Sequence, residues 1–315
     1  MQPAADDLDM AFPPPADRGA PKLSVVVMAL NTGATLARCL GALTKHAQRE
    51  DVEILVVGHD RERPENGSSA LQERFPEVVW LATPAHYTVP QRRSAGIARS
   101  HGPIVALLED DCVVNDRWCA SIIAAHRASP IAIGGPIEPG NYRTGLDWAV
   151  FFCEYSRFMP PFAGAVPALP GNNVAYKRSA LAGVMGDQGF YEVFVHRLWQ
   201  QRGHTLVADP SLVVYNTNAR SCANTLRSAY HHGRAFASMR VEDGHPLRRS
   251  TYVAGALFLP PLQVARVVRN VLSRRRHVRA LFRALPWVAL FAASWSWGEF
   301  LGYLRGPGGS VNQWR

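Results

Sequence analysis

None of the five cysteines (Cys39, Cys112, Cys119, Cys153, Cys222) forms a C-x-x-C pair with another, and their number is odd. That scatter offers neither a disulfide framework nor a zinc site, and it fits a reducing compartment. No G-x-G-x-x-G follows the first apolar run and no P-loop occurs anywhere. Both absences argue against a dinucleotide oxidoreductase or a kinase-like enzyme. The first 21 residues carry four Asp, one Arg and several Pro without a long apolar stretch, so they do not read as a secretory signal. That composition cannot bury enough apolar surface to offset its ordering entropy, and residues 1–21 are expected to be a disordered leader. Lysine is missing from residues 220–315, and acids are nearly so. That stretch holds 15 Arg against Glu242, Asp243 and Glu299, a net of +12, whereas residues 1–219 sum to −3. An anionic partner is expected for the C-terminal part.

What is present is alternation. LSVVVMAL (23–30) is a continuous apolar, β-branched run, as in a strand buried on both faces. Asn31-Thr32-Gly33 breaks it, and Leu36, Leu40 and Leu43 share one face of a helix through 34–46. Further strands are expected at 52–58, 78–82 and 103–108, with a helix closing through 96–102. Alternating strands and helices predict an α/β unit with a mostly parallel sheet and ligands at the strands' C-terminal ends. The stretch 131–215 is less regular, with a loop-rich 160–173, a helix-like 191–203 and a short strand LVVY (212–215).

Glu109-Asp110-Asp111 follows directly on the strand PIVALL. Three successive carboxylates repel one another unless a cation or solvent relieves them. Mg2+ and Mn2+ take oxygen ligands and bridge carboxylates to substrate phosphates, while a solvated acidic loop is the plain alternative.

Five segments in this order resemble the family-two inverting glycosyltransferases of the GT-A fold, in their membrane-associated bacterial type. They are LSVVVMALN, VEILVVGHD, QRRSAGIARSHGPIVALLEDDC, GNNVAYKRSAL and GFYEVFVHRLWQQRGHTLVADPSLVVYN. The resemblance implies a Rossmann-like, mostly parallel sheet with flanking helices over 22–219, followed by a helical membrane-binding region over 220–315. It implies transfer of a sugar from a nucleotide-diphosphate donor to an acceptor hydroxyl on a glycan, a lipid-linked molecule or a small molecule. By the same resemblance Asp111 is the foremost ligand of a divalent cation (Mg2+ or Mn2+), with Asp110 or Glu109 completing the metal shell or meeting the ribose. Ala29, Asn31, Asp60 and Asp110 are expected at the donor, with Arg92 or Arg93 as a bidentate phosphate clamp. Gly171, Asn172 and Asn173 are expected on the acceptor side, and His231 and Arg234 near the leaving diphosphate. Glu192 is the candidate base that accepts the acceptor's proton, with Asp187 as fallback. A first-turn Glu favouring the helix dipole is the plain reading of the same residue.

Two positions depart from the family pattern. Gly58 stands where an Asp contacts uracil, with Asp60 two residues on, and Asn216 stands where many members have a metal-ligating His. These departures sustain a second reading, a catalytically silent GT-A module acting as a membrane-bound scaffold. Nucleotidyl transfer would need a basic triphosphate loop that NTGATLARC lacks.

Two apolar runs, Ser250–Ala265 and Ala284–Gly298, flank a linker with seven Arg between 266 and 283. Each run is shorter than the roughly 20 residues of a comfortable span, and the positive-inside rule disfavours sending the linker across. The pair is expected to lie in the membrane interface with the linker on anionic headgroups, peripheral or monotopic on the cytoplasmic face. Nucleic acid matches the charge but not the apolar runs and is not expected as a partner.

Overall fold

A computed structural model describes residues 20–31, 33–59, 68–128, 130–186, 188–217, 220–241 and 246–313. The expected disorder of residues 1–19 and the expected roles of Asp60 and Asp187 lie outside the described residues.

The first half alternates as its apolar runs require: β1 (Leu23–Met28), α1 (Gly33–Glu50), β2 (Val52–His59), α2 (Ser68–Arg74), β3 (Val79–Thr83), α3 (Val89–Arg99) and β4 (Ile104–Glu109). β1 is buried at every residue because β2 and β4 flank it in parallel. The next stretch contains β5 (Cys112–Val114), α4 (Trp118–Ala125), β6 (Ala132–Gly134), β7 (Ile137–Pro139) and α5 (Gly145–Tyr155). After it come β8 (Gly164–Val166), β9 (Asn173–Lys177), α6 (Arg178–Leu181), α7 (Glu192–Gln201), β10 (Leu206–Ala208) and β11 (Val214–Asn216).

Eight strands form the main sheet in the order β3-β2-β1-β4-β9-β6-β10-β8. Its first half is parallel, and β9 enters antiparallel between β4 and β6. A small sheet, β5-β11-β7, stands apart and sets Asn216 opposite Cys112. The expected strand LVVY is displaced toward the C-terminus: pairing begins at Val214 and runs through Asn216. Leu212 instead caps a turn, donating its amide to Asp209 O at 3.2 Å while its carbonyl accepts from Asn173.

The C-terminal part is helical: α8 (Cys222–Arg240), α9 (Pro246–Ala256), α10 (Leu259–Arg274) and α11 (Val278–Arg305). α8 and α11 lie backbone to backbone. A Cβ on Gly298 would stand 2.1 Å from Tyr230 O, and one on Gly233 would stand 2.2 Å from Trp295 O. Both positions therefore need glycine to let the helices meet. α11 also carries Leu281, Ala284 and Val288 into the core that includes Phe151 and Phe152 of α5. Among the described residues no single helix is long and apolar enough to cross a membrane; the segment from Arg249 in α9 through α10 passes that test only as a pair bent by 67°.

Candidate active site

The three carboxylates sit where β4 ends, but their neighbours differ. Asp110 is buried and accepts from three donors of the loop after β1: Leu30 N at 3.2 Å, Asn31 N at 2.8 Å and Asn31 Nδ2 at 2.7 Å. Burial pushes its carboxyl up, and these donors pull it back. The carboxylate thus ties the end of β1 to the end of β4. Asp111 is 1% exposed; its Oδ1 accepts from Cys112 Sγ at 3.3 Å, while its Oδ2 is buried without a hydrogen-bond partner among the described residues. Burial, then the charges of Glu109 and Asp110, pushes this carboxyl up to about 7. Asp111 Oδ2 is thus the buried carboxylate oxygen of the triplet left open, the Asp110 oxygens being taken by Leu30 and Asn31 and Glu109 by Arg93. Among the described residues no group of three or more His, Cys, Asp or Glu is arranged so that it could hold a metal ion by itself.

Glu109, the last residue of β4, points into the cleft and accepts from Arg93 Nη2 at 3.1 Å. The other prong of the same guanidinium, Nη1, donates to Glu192 Oε2. Arg93 comes from α3, whose start is fixed by Thr88 and Gln91, the Thr88 amide donating to Gln91 Oε1 at 2.9 Å. Burial opposes the Arg93 charge, but the Glu192 and Glu109 carboxylates more than offset it. Glu192 opens α7, and Gly171 lies against it: a Cβ there would fall 2.5 Å from Glu192 Oε1. Glycine at 171 therefore keeps the carboxylate free to face the cleft.

That cleft encloses about 730 Å³. Its walls are the β1 loop (Leu30, Asn31), α3 (Pro90, Arg93), the C-terminal end of α5, the Gly171-Asn172 turn, Glu192 and the inner face of α8. Of the expected residues, Asn31, Arg93, Glu109, Gly171, Asn172, Glu192 and His231 meet here, while Asp110 and Asp111 lie buried behind the wall.

Other expected residues are placed elsewhere. Arg92 is fully buried and donates to Ala29 O at 3.2 Å, so it braces the end of β1 instead of clamping a phosphate. Arg93 lines the cleft with its guanidinium paired to two carboxylates, Glu109 and Glu192. Ala29 does not line the cleft; its amide donates to Val57 O of β2 at 3.0 Å and its carbonyl accepts from Arg92. Asn173 is a strut: it accepts from Trp118 Nε1 at 2.9 Å and donates to Pro136 O and Leu212 O. Arg234 turns away from the cleft to donate to Gly306 O at 3.0 Å and Tyr230 Oη at 3.2 Å. Asn216 is fully buried, and its Oδ1 accepts from Tyr142 Oη. The next residue, Thr217, donates both its amide and its hydroxyl to Asp111 O, at 2.8 and 2.9 Å.

The sequence reading missed Glu154, Arg157, Arg220 and Arg227, all on the cleft wall. Arg220 pairs with Glu154 at 3.0 Å, and that carboxylate is the main cause that raises its pKa. Arg227 donates to Gln313 Oε1 at 3.0 Å, and His231 Nδ1 lies 3.0 Å from Ser310 Oγ, so the C-terminal tail is held on α8. Burial, Arg227 and Arg234 all hold His231 toward its neutral form. The basic excess after residue 219 was the one visible signal for Arg220 and Arg227. Nothing in spacing joins Arg220 to Glu154, 66 residues earlier.

The sequence model of the family described as glycosyl transferase family 2 matches residues 24–184. No curated protein matches the chain in sequence. Among solved structures, it is similar to the mannosyltransferase PcManGT from Pyrobaculum calidifontis, in complex with GDP-Man and Mn2+. The TM-score is 0.48 at 17% identity, over 91% of this chain and 76% of that one. It is also similar to GalNAc-T7, solved with UDP, GalNAc and Mn2+, with a TM-score of 0.49 at 14% identity over 63% of this chain and 44% of that one.

Proposed function

The chain belongs to glycosyl transferase family 2, has the GT-A fold and is a glycosyltransferase, and from that premise we propose an inverting, metal-assisted transfer from a nucleotide-diphosphate sugar to an acceptor hydroxyl. The observation that carries this reading is the Arg93 fork. One guanidinium holds Glu192, the candidate base, against Glu109 at the head of the acidic triplet. That pairing keeps the candidate base beside the acidic triplet in one cleft, which supports a reading in which acceptor attack and diphosphate departure share this site.

Asp111 would hold a divalent cation through its unpartnered Oδ2, with remaining ligands from the donor's diphosphate and water. Such a cation supplies charge stabilisation for the departing nucleoside diphosphate. Asp110 serves differently, fixing Asn31 where the donor's nucleoside enters. Glu192 accepts the proton of the acceptor hydroxyl, which approaches past Gly171 and Asn172. Arg220 faces the cleft from the lead-in to α8 and supplies positive potential for the leaving group in place of Arg234, while His231, held neutral on α8, offers a hydrogen bond there. Asn216, buried at the end of β11, serves packing around Cys112 and Tyr142 instead of ligation.

The experiment is turnover of a panel of nucleotide sugars with Mn2+, Mg2+ or chelator, with and without Glu192→Gln. Cation-dependent donor consumption is expected, cut roughly 10²–10⁴-fold by Glu192→Gln at nearly unchanged donor affinity. NMR of the product is expected to show the inverted anomer. Donor binding without any transfer or hydrolysis would favour the scaffold reading instead.

A further inference from the structure

Large apolar side chains are left exposed mainly in the last third of the chain. Leu257 and Phe258, 67% and 74% exposed, cap the corner where α9 meets α10. On α11, Phe282, Leu290, Trp297 and Leu304 are also exposed. At about 100° per residue these four fall within one arc of roughly 80° and run about 33 Å along the helix. The opposite face of α11 is buried against α8 and α5, so the stripe is not a stray side of a free helix.

Exposed arginines accompany these side chains on α10 and α11. Arg266 and Arg269 are exposed on α10, beside exposed Leu262 and Leu272, and Arg279 and Arg283 are exposed at the start of α11. Two neighbours are spent internally, Arg274 on the carbonyls of Met159 and Arg157 and Arg276 on Glu138. The only acid in residues 246–313, Glu299, is 3% exposed and bound by Arg240, Tyr303 and Trp295. The large side chains exposed along α9–α11 are therefore apolar or cationic, and the one acid of residues 246–313 is buried.

We propose that this face docks in-plane on a lipid bilayer bearing anionic headgroups, with Leu257-Phe258 and the α11 stripe in the acyl boundary and the four arginines on the headgroups. An amphipathic face of this type gains from apolar burial and from headgroup attraction together. A second copy is a poorer occupant, because pairing the face with itself would set arginines against arginines with no acid between them. α11 presents Trp295 to the cleft and Trp297 to the outer face. Docking thus holds the cleft about one helix diameter, roughly 10 Å, from the bilayer, where a lipid-borne acceptor would be at hand.

Full-length protein is tested by flotation with vesicles of phosphatidylcholine, with and without phosphatidylglycerol, beside sedimentation of the free protein. Flotation is expected with phosphatidylglycerol vesicles and not with phosphatidylcholine alone. The combined Arg266→Gln, Arg269→Gln, Arg279→Gln and Arg283→Gln variant should bind roughly 10²- to 10³-fold more weakly at low salt. Phe282→Ser with Trp297→Ser should abolish flotation with a melting temperature little changed, since Phe282 and Trp297 are 67% and 56% exposed and only the stack of Trp297 on Phe300 is lost. Protein that ignores phosphatidylglycerol vesicles overturns the proposal, as does full vesicle affinity in the four-arginine variant. A dimer that the Phe282 and Trp297 changes split, without vesicle binding, overturns it in favour of an interface between copies. No donor or acceptor enters this assay, so its failure leaves the glycosyl-transfer reading untouched.

Discussion

Arg93 offers the sharpest perturbation, because one side chain serves two carboxylates. The side chains of Arg93, Glu109 and Glu192 are 8%, 15% and 19% exposed, so little water can replace a lost partner. Arg93→Met keeps the stem and deletes the fork. Removing one member of a buried pair costs about 3–5 kcal/mol, and the residual exposure of both acids argues for the lower end. About 3 kcal/mol corresponds to a fall in melting temperature of roughly 4–6 °C in a chain of this size. Arg93→Lys is the informative companion. A lysine is a point charge that can reach one carboxylate but not span two. Losing one charged hydrogen bond, about 1.5–3 kcal/mol, predicts a fall in kcat of roughly 10- to 150-fold. The donor KM should stay nearly unchanged, because the lost contact orients Glu192 and does not hold the donor. Steady-state kinetics with thermal denaturation of both variants measures this. An increase confined to donor KM, with kcat and stability intact, would show that Arg93 grips the diphosphate and would refute the fork argument.

Three further outcomes follow from the same geometry. Asp111→Asn should remain folded yet lose the joint stabilisation by nucleoside diphosphate and Mn2+, which for wild type is about 2.7 kcal/mol at a hundredfold excess over Kd in thermal shift; equal shifts in both proteins would remove Asp111 from the cation site. His196 is 2% exposed with Nε2 2.9 Å from Tyr176 Oη, and burial drops its pKa from 6.5 to about 4. The unfolded chain therefore binds this proton first, and stability should fall as pH drops from about 6.5 to 4, by about 3 kcal/mol for this group. In denaturant titrations His196→Gln should flatten that acid limb by a comparable amount, and an unchanged slope would count against the assignment. Gly298→Ala places a methyl 2.1 Å from Tyr230 O and should destabilise by about 1–3 kcal/mol or more, since backbone on both helices must move; a variant melting like wild type would contradict the close helix pair.

Local order was largely legible in the sequence. The apolar, β-branched runs at 23–28, 52–59 and 104–109 are strands because a central parallel strand buries both faces, and composition alone records that demand. Glu109-Asp110-Asp111 was visible as a triplet at a strand end, and Glu192 as the start of a helix, since each depends on its immediate neighbours. What neighbours cannot encode is direction. Arg92 and Arg93 are adjacent on α3, yet one braces Ala29 O and the other grips Glu109 and Glu192, because successive helical side chains diverge by about 100°. His231 and Arg234, three residues apart on α8, share a helix face, yet His231 lines the cleft while the carbonyl of Gly306 draws Arg234 off. Glu154 with Arg220, and Gly233 with Gly298, meet across 66 and 65 residues, so only chain closure could bring them together. The sequence determined which elements form and which chemistry they carry, because those follow from burial pattern and residue type. The tertiary structure alone decided which carboxylate keeps a free oxygen, Asp111 and not Asp110, because that depends on which donors of the β1 loop reach β4 first.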